Sequence, residues 1–138
     1  MGLLIDSTAF IHAERARLTV AQFIEELMAR WGDLELAISV ISAAELLHGV
    51  WRADSAVRRA RREEFVEATL LALPVMPVTL TIARLFAELD ARLAAKGGRI
   101  PTSDLLIACT ALARGDDVLT GDPRHFRRVR DLTVRTLR

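Results

Sequence analysis

The chain reads as an α/β protein with a mostly parallel sheet covered by helices on both faces. Three observations lead there. Short apolar runs without polar alternation, Leu3-Leu4-Ile5 first among them, read as strands buried on both faces. Those runs alternate with longer segments whose apolar residues recur at helical spacing, the pattern of parallel strands joined by crossover helices. The first run ends in an acid, Asp6, and open α/β sheets bind ligands outside the carboxyl ends of their strands. At 138 residues, 51% hydrophobic and 27% charged, the chain supports one domain, 1–138, with a real core rather than disorder.

The elements follow in order. After the first strand, residues 7–13 form a short helix that Asp6 or Ser7 caps. Residues 19–31 form the clearest helix, with Val20, Phe23, Ile24, Leu27, Met28 and Trp31 on one face, and Gly32-Asp33 ends it. Residues 36–39 are a second strand. Ser42 caps the next helix, with Glu45 at capping-box spacing, and that helix runs to about Trp51. Asp54-Ser55 opens a long charged helix to about Leu73. The stretch 74–78 is a strand bounded by prolines. Residues 79–95 are helical and stop at Gly97-Gly98. Residues 102–114 form a helix that is apolar nearly all round, hence central and covered. Val118-Leu119-Thr120 is a strand ending at Gly121-Asp122, and residues 132–137 supply the last strand.

Several classes are excluded. One cysteine, Cys109, rules out a disulfide framework and fits a reducing cytoplasm. No stretch approaches the roughly 20 apolar residues of a membrane span, and no secretory leader is visible. The net charge of +1 does not by itself point to nucleic acid. Apart from Lys96 every basic residue is arginine, with clusters at Arg58, Arg59, Arg61, Arg62 and at Arg124, Arg127, Arg128, Arg130. Each cluster reads first as a solvated helix face and second as a phosphate-contacting surface.

Chemistry is sought at the strand ends. Asp6 ends the first strand, Glu45 lies in the helix after the second, Asp104 lies in the first turn of the buried helix, and Asp122 follows the fourth strand. Each has an ordinary role available: a cap, a capping-box partner, a first-turn acid favoured by the helix dipole, or a Gly-Asp-Pro turn. In a parallel sheet, however, all four arrive at one edge, where carboxylates repel and resist desolvation. A divalent cation relieves that repulsion. Mg²⁺ or Mn²⁺ takes oxygen ligands, acidifies a bound water and clamps the oxygens of a phosphoryl displacement.

Four blocks carry a resemblance: Leu4-Ile5-Asp6-Ser7, Ala44-Glu45-Leu46-Leu47-His48-Gly49, Ile100-Pro101-Thr102-Ser103-Asp104-Leu105-Leu106-Ile107-Ala108, and Leu119-Thr120-Gly121-Asp122-Pro123-Arg124-His125-Phe126. In this order, along the whole chain, they resemble the signature blocks of PIN domains, most of all the VapC-type toxins of toxin–antitoxin pairs. The resemblance implies a three-layer α/β/α sandwich and a Mg²⁺- or Mn²⁺-dependent endoribonuclease. Asp6, Glu45, Asp104 and Asp122 become the catalytic and metal-binding quartet, Asp6 and Asp104 foremost, with Ser7 and Thr120 as supporting hydroxyls. Water activated at the metal attacks the scissile phosphate, leaving a 3′-hydroxyl and a 5′-phosphate. His125 stands where many relatives have an acid before the phenylalanine. The resemblance also implies a cognate VapB-type antitoxin and a homodimer. The apolar surplus on the helix from Thr19 and the helices between Ser42 and Leu73 offers a groove for that partner.

Other residues are set aside. The Glu-x-x-His spacing of Glu45 and His48 occurs once, whereas a di-iron bundle needs it twice. Asp33, Asp90, Asp116 and Asp117 read as turn or surface acids, Cys109 as core, and Phe23, Trp31 and Trp51 as core or interface. Phosphatases of the haloacid-dehalogenase type need a second Asp where Thr8 stands. Receiver domains need a lysine at a late strand end, and Lys96 instead precedes a Gly-Gly turn. The rival that survives is a PIN-fold module that binds RNA or protein without cutting.

Overall fold

A computed structural model describes residues 1–137. Strand β1 (Gly2–Ile5) leads into helices α1 (Ser7–Arg15) and α2 (Val20–Trp31). Strand β2 (Glu35–Ser39) is followed by α3 (Val40–Trp51) and α4 (Ala56–Ala72). Strand β3 (Val75–Met76) is followed by α5 (Leu80–Ala95) and α6 (Thr102–Arg114). Strand β4 (Asp117–Thr120), a 3-10 turn (Phe126–Arg128) and β5 (Val134–Thr136) complete the chain. All pairings are parallel, in the order β3-β2-β1-β4-β5.

The first strand lies at the middle of this sheet. Its alternate side chains separate the two halves of the core. Leu3 and Ile5 face a cluster with Phe10, Phe23, Leu46 and Val66 from α1 to α4. Leu4 faces a second cluster with Ile82, Leu105, Ile107 and Phe126 on the other side. Strand alternation thus accounts for three layers, as expected for an α/β/α sandwich. The all-apolar helix α6 is covered as its composition requires: Leu105, Ile107, Ala108, Cys109 and Ala111 are fully buried. It ends at Gly115, whose left-handed φ of 71° favours glycine.

Four local expectations are corrected. Ser42 does not cap its helix. Ser39, still extended at the end of β2, accepts from the Ile41 amide, so the helix begins at Val40. Ser42 is then an interior position, buried, with no hydrogen-bond partner for its hydroxyl among the described residues. Asp6 occupies the N-cap position of α1 without a side-chain cap bond, because its carboxylate is engaged elsewhere. The proline-bounded strand shrinks to two residues at the sheet edge, where Pro74 and Pro77 cost no central ladder. The last strand starts at Val134 rather than Leu132, since Asp131 takes a left-handed φ of 67° in a turn.

Asp116 and Asp117 are not surface acids. Both are buried and paired, Asp116 with Arg114 and Asp117 with Arg135, each at 2.7 Å. They sit at the start of β4, the end of the strand opposite Thr120.

Candidate active site

The chain winds from β1 through β2 to β3 on one side of the sheet and then crosses back to β4 on the other side of β1, so the strand order reverses there. Ligands bind at such switch points, outside the carboxyl ends of the strands. Register does the positioning. Leu4 pairs with Val118 and Ile5 with Leu119, and the Asp6 amide continues the ladder onto the Leu119 carbonyl at 2.8 Å. Asp6 and Thr120 therefore arrive side by side from opposite ends of the sequence.

Asp6 is 3% exposed. Its Oδ2 accepts from the Thr120 hydroxyl at 2.8 Å and from the Thr8 hydroxyl at 2.7 Å. Thr120 and Thr8 also lie 3.0 Å from one another. The same two hydroxyls organise the following loop: Thr8 accepts from the Gly121 amide and Thr120 from the Asp122 amide. A Cβ on Gly121 would stand 2.9 Å from Nε2 of the exposed His12 and 3.4 Å from the Thr8 carbonyl, so this turn lies close against helix α1. Burial raises the Asp6 carboxyl above the usual range, the two threonine hydroxyls pull it back, and the Asp104 charge raises it again.

Glu45 reaches the rim from the second turn of α3. Its Oε1 accepts from Ser7 at 3.0 Å. Desolvation raises its carboxyl, the Ser7 bond opposes this, and the charges of Asp6 and Asp104 add to the rise. Asp104 sits in the first turn of α6, with its Oδ2 2.7 Å from Nδ1 of His125. These three acids thus feel one another's charge, and among the described residues no arginine or lysine is bonded to any of them.

Asp122 lies on the same loop but is differently engaged. Arg124 takes both of its oxygens, which lowers its carboxyl below the usual range. The structure therefore brings Asp6, Glu45 and Asp104 together with Ser7 and Thr120, and holds the Asp122 carboxylate on an exposed arginine. Among the described residues no three of His, Cys, Asp and Glu form a ready-made cation cage. The donor chemistry nevertheless suits a hard cation. Each of the three acids has one oxygen tethered by a hydroxyl or imidazole and a second oxygen without a side-chain hydrogen bond.

Sequence reasoning missed Thr8 and the partner of His125. The hydroxyl two residues after Asp6, at Asx/ST-turn spacing, is the signal that points to Thr8. Cys109 has no part in the chemistry, since burial pushes its thiol up to about 11. His48 is exposed on α3.

A groove of 850 Å³ leads away from Glu45 between α1, α3 and α4. Leu46 and Phe65 line it, together with Arg15, Arg17, Arg52 and Arg61. A stripe on α3 is left uncovered as well: Val40, Leu47 and Trp51, with Trp51 72% exposed.

The fold and the rim together define a class: a parallel α/β/α sandwich with an acidic site at its topological switch point. The PIN domain profile matches residues 3–132, and the chain belongs to the PIN-domain family. Ribonuclease VapC1 of Rickettsia felis is 30% identical over 137 residues, covering 99% of this chain and 97% of that one. The solved VapBC2 of R. felis, bound to a DNA fragment from its promoter, superposes with a TM-score of 0.84 at 24% identity over 100% of both chains. VapBC-5 of Mycobacterium tuberculosis, a toxin–antitoxin system, gives 0.72 at 28% identity, covering 99% and 97%. No helix among the described residues is long and apolar enough to cross a membrane.

Proposed function

We propose that this chain is a Mg²⁺- or Mn²⁺-dependent endoribonuclease, the toxin of a VapBC-type pair. Its family and its relatives named ribonuclease VapC support RNA hydrolysis. The observation that carries the metal dependence is the trio Asp6, Glu45 and Asp104. These carboxylates share a strand-end rim, where the Asp104 charge adds to the rise of Asp6 and Glu45, and each has one oxygen without a side-chain hydrogen bond.

Asp6 and Asp104 would hold the cation, with Glu45 beside them and Asp122 joining once Arg124 lets go. A divalent cation there supplies charge neutralisation for a phosphate and a more acidic water. The chain's own residues do the rest. Thr8 and Thr120 hold one Asp6 oxygen, so the carboxylate cannot rotate away. Ser7 does the same for Glu45. Both acids lie at the same rim, so positive charge arriving there favours their ionised forms. An RNA phosphate carries negative charge and by itself would be repelled here, which couples substrate binding to the cation.

The groove beside Glu45 takes a segment of the antitoxin. Its apolar lining and arginines match a chain with apolar anchors and acidic side chains, and solved relatives are toxin–antitoxin complexes. The α3 stripe of Val40, Leu47 and Trp51 supports a homodimer.

Purified protein is tested on total RNA with Mg²⁺ or Mn²⁺, with EDTA, and beside Asp6→Asn and Asp104→Asn. Discrete fragments that vanish with EDTA and in both variants are expected. Cutting that persists in both variants would remove the assignment. RNA binding without cleavage would point to the non-catalytic module.

A further inference from the structure

We infer that His125 is a positioning residue that holds Asp104 for cation binding through its Nδ1–H. The inference rests on the metal-dependent reading above and extends it to a residue outside the acidic set.

The geometry has a repeated logic. Oδ2 of Asp6 is tethered by Thr8 and Thr120, and Oε1 of Glu45 by Ser7. Among the described residues no hydroxyl is hydrogen-bonded to Oδ2 of Asp104. Its tether is the imidazole of His125, at 2.7 Å. An ionised carboxylate only accepts, so the ring nitrogen facing it carries the proton. His125 donates from Nδ1 whether the ring is neutral or charged, and the role does not depend on its titration. One oxygen of Asp104 is thereby fixed and the other, Oδ1, is left for a cation. A carboxylate held by a neighbour in this way resembles the outer-sphere partners that orient metal-bound side chains.

The backbone supports the contact from both sides. His125 immediately precedes Phe126, which is buried, and Asp104 immediately precedes Leu105, also fully buried in the same cluster. The turn between β4 and the 3-10 segment is closed by Arg127 N–H to the Pro123 carbonyl at 3.0 Å and Arg128 N–H to the His125 carbonyl at 3.1 Å. Each partner in the polar contact is thus anchored by its apolar neighbour. The imidazole remains about one-third exposed, so removing it does not open the core.

The test compares His125→Ala, His125→Asn and His125→Gln. An asparagine amide reproduces a donor at the Nδ1 position, whereas glutamine reproduces the Nε2 position. Mn²⁺ binding is measured by electron paramagnetic resonance and calorimetry without RNA, and cleavage is measured at increasing Mn²⁺. His125→Ala and His125→Gln are expected to bind Mn²⁺ about 10–100-fold more weakly. His125→Asn should stay close to the wild type. Excess Mn²⁺ should restore the turnover of His125→Ala, because the imidazole touches no reacting atom. All three variants should melt with the wild type in EDTA. Wild-type Mn²⁺ affinity in His125→Ala would overturn the tether while leaving the nuclease reading intact. Rescue by glutamine instead of asparagine, or turnover that stays lost at saturating Mn²⁺, would also overturn it in favour of a role at Nε2. Absence of Mn²⁺ binding by the wild type itself would overturn the metal reading and the tether with it.

Discussion

Arg124 grips Asp122 at two points, its Nε on Oδ1 and its Nη2 on Oδ2, each at 2.9 Å. The pair is only two residues apart and faces solvent, yet it occupies both oxygens of an acid that the family resemblance assigns to the metal set. A fork-to-fork contact is the best that an arginine and a carboxylate can make. Arg124 and a cation therefore compete for Asp122. Arg124→Ala is expected to tighten Mn²⁺ binding while leaving the melting temperature unchanged, because exposed pairs add little stability. Calorimetry checks this. If Arg124→Ala and Asp122→Ala both bind Mn²⁺ like the wild type, Asp122 is no ligand.

The raised acids give a pH signature. Asp6 and Glu45 keep their protons in the folded chain at pH values where the unfolded chain has lost them. The folded state then binds more protons, so stability falls as pH rises through that window. The window opens above the ordinary values of 3.8 and 4.5. Asp122 has the opposite sign, below 3.8, but it is exposed and screened. In EDTA the melting temperature should therefore decline from mildly acidic toward neutral pH, and Mn²⁺ should flatten the decline.

The same repulsion predicts a variant that gains stability while losing function. Asp6→Asn removes a desolvated charge beside Asp104, and its carbonyl oxygen still accepts from Thr8 and Thr120. Near pH 7 without metal it should be more stable by about 0.5–2 kcal/mol, as stabilising replacements commonly are. It should also fail to cut RNA. Urea unfolding beside the cleavage assay measures both. A loss of stability would show that the hydroxyls need the charge more than the rim resents it.

Thr120→Val leaves the shape of β4 almost unchanged but deletes the hydroxyl shared by Asp6 and the Asp122 amide. The site is fully buried, so the abandoned groups find no water. A loss of about 1–3 kcal/mol is expected in urea unfolding. A neutral outcome would mean that Thr8 alone holds the aspartate.

The uncovered face of α3 predicts assembly. Trp51→Glu should convert a dimer to a monomer in light scattering, with the fold retained, since Trp51 touches solvent over most of its surface. A wild-type monomer would remove the homodimer from the proposal.

The skeleton of this fold was legible because its central strands are short, mostly apolar and separated by helical periods. Leu3-Leu4-Ile5 and Val118-Leu119-Thr120 could be placed on residue identity alone, and with them the position of Asp6. What escaped depends on competition between neighbours. Ser39 and Ser42 are both good caps, and only the extended backbone at the end of β2 decides between them. Removing Ser42 from that role also frees Glu45, whose capping-box spacing is coincidental. Asp116 and Asp117 look like loop acids until Arg114 and Arg135 are seen folded over them. The grip of Arg124 and the tether from His125 depend on side-chain rotamers and on a turn anchored by Phe126, neither of which leaves a periodic trace.

The pairing of β1 with β4 also sets a timetable. Asp6 is synthesised well before one of the two hydroxyls that hold it, that of Thr120, 114 positions later. The centre of the sheet has an open seam until the fourth strand has been made, and long-range parallel pairing is slow to form. A chain stalled in mid-translation, or one clipped before the fourth strand, would carry the first acid with the Thr8 hydroxyl alone and without the loop beyond Thr120. For an enzyme proposed to destroy RNA, the template that encodes it and the ribosome reading it would face no assembled active centre until the fourth strand and the loop after it have emerged.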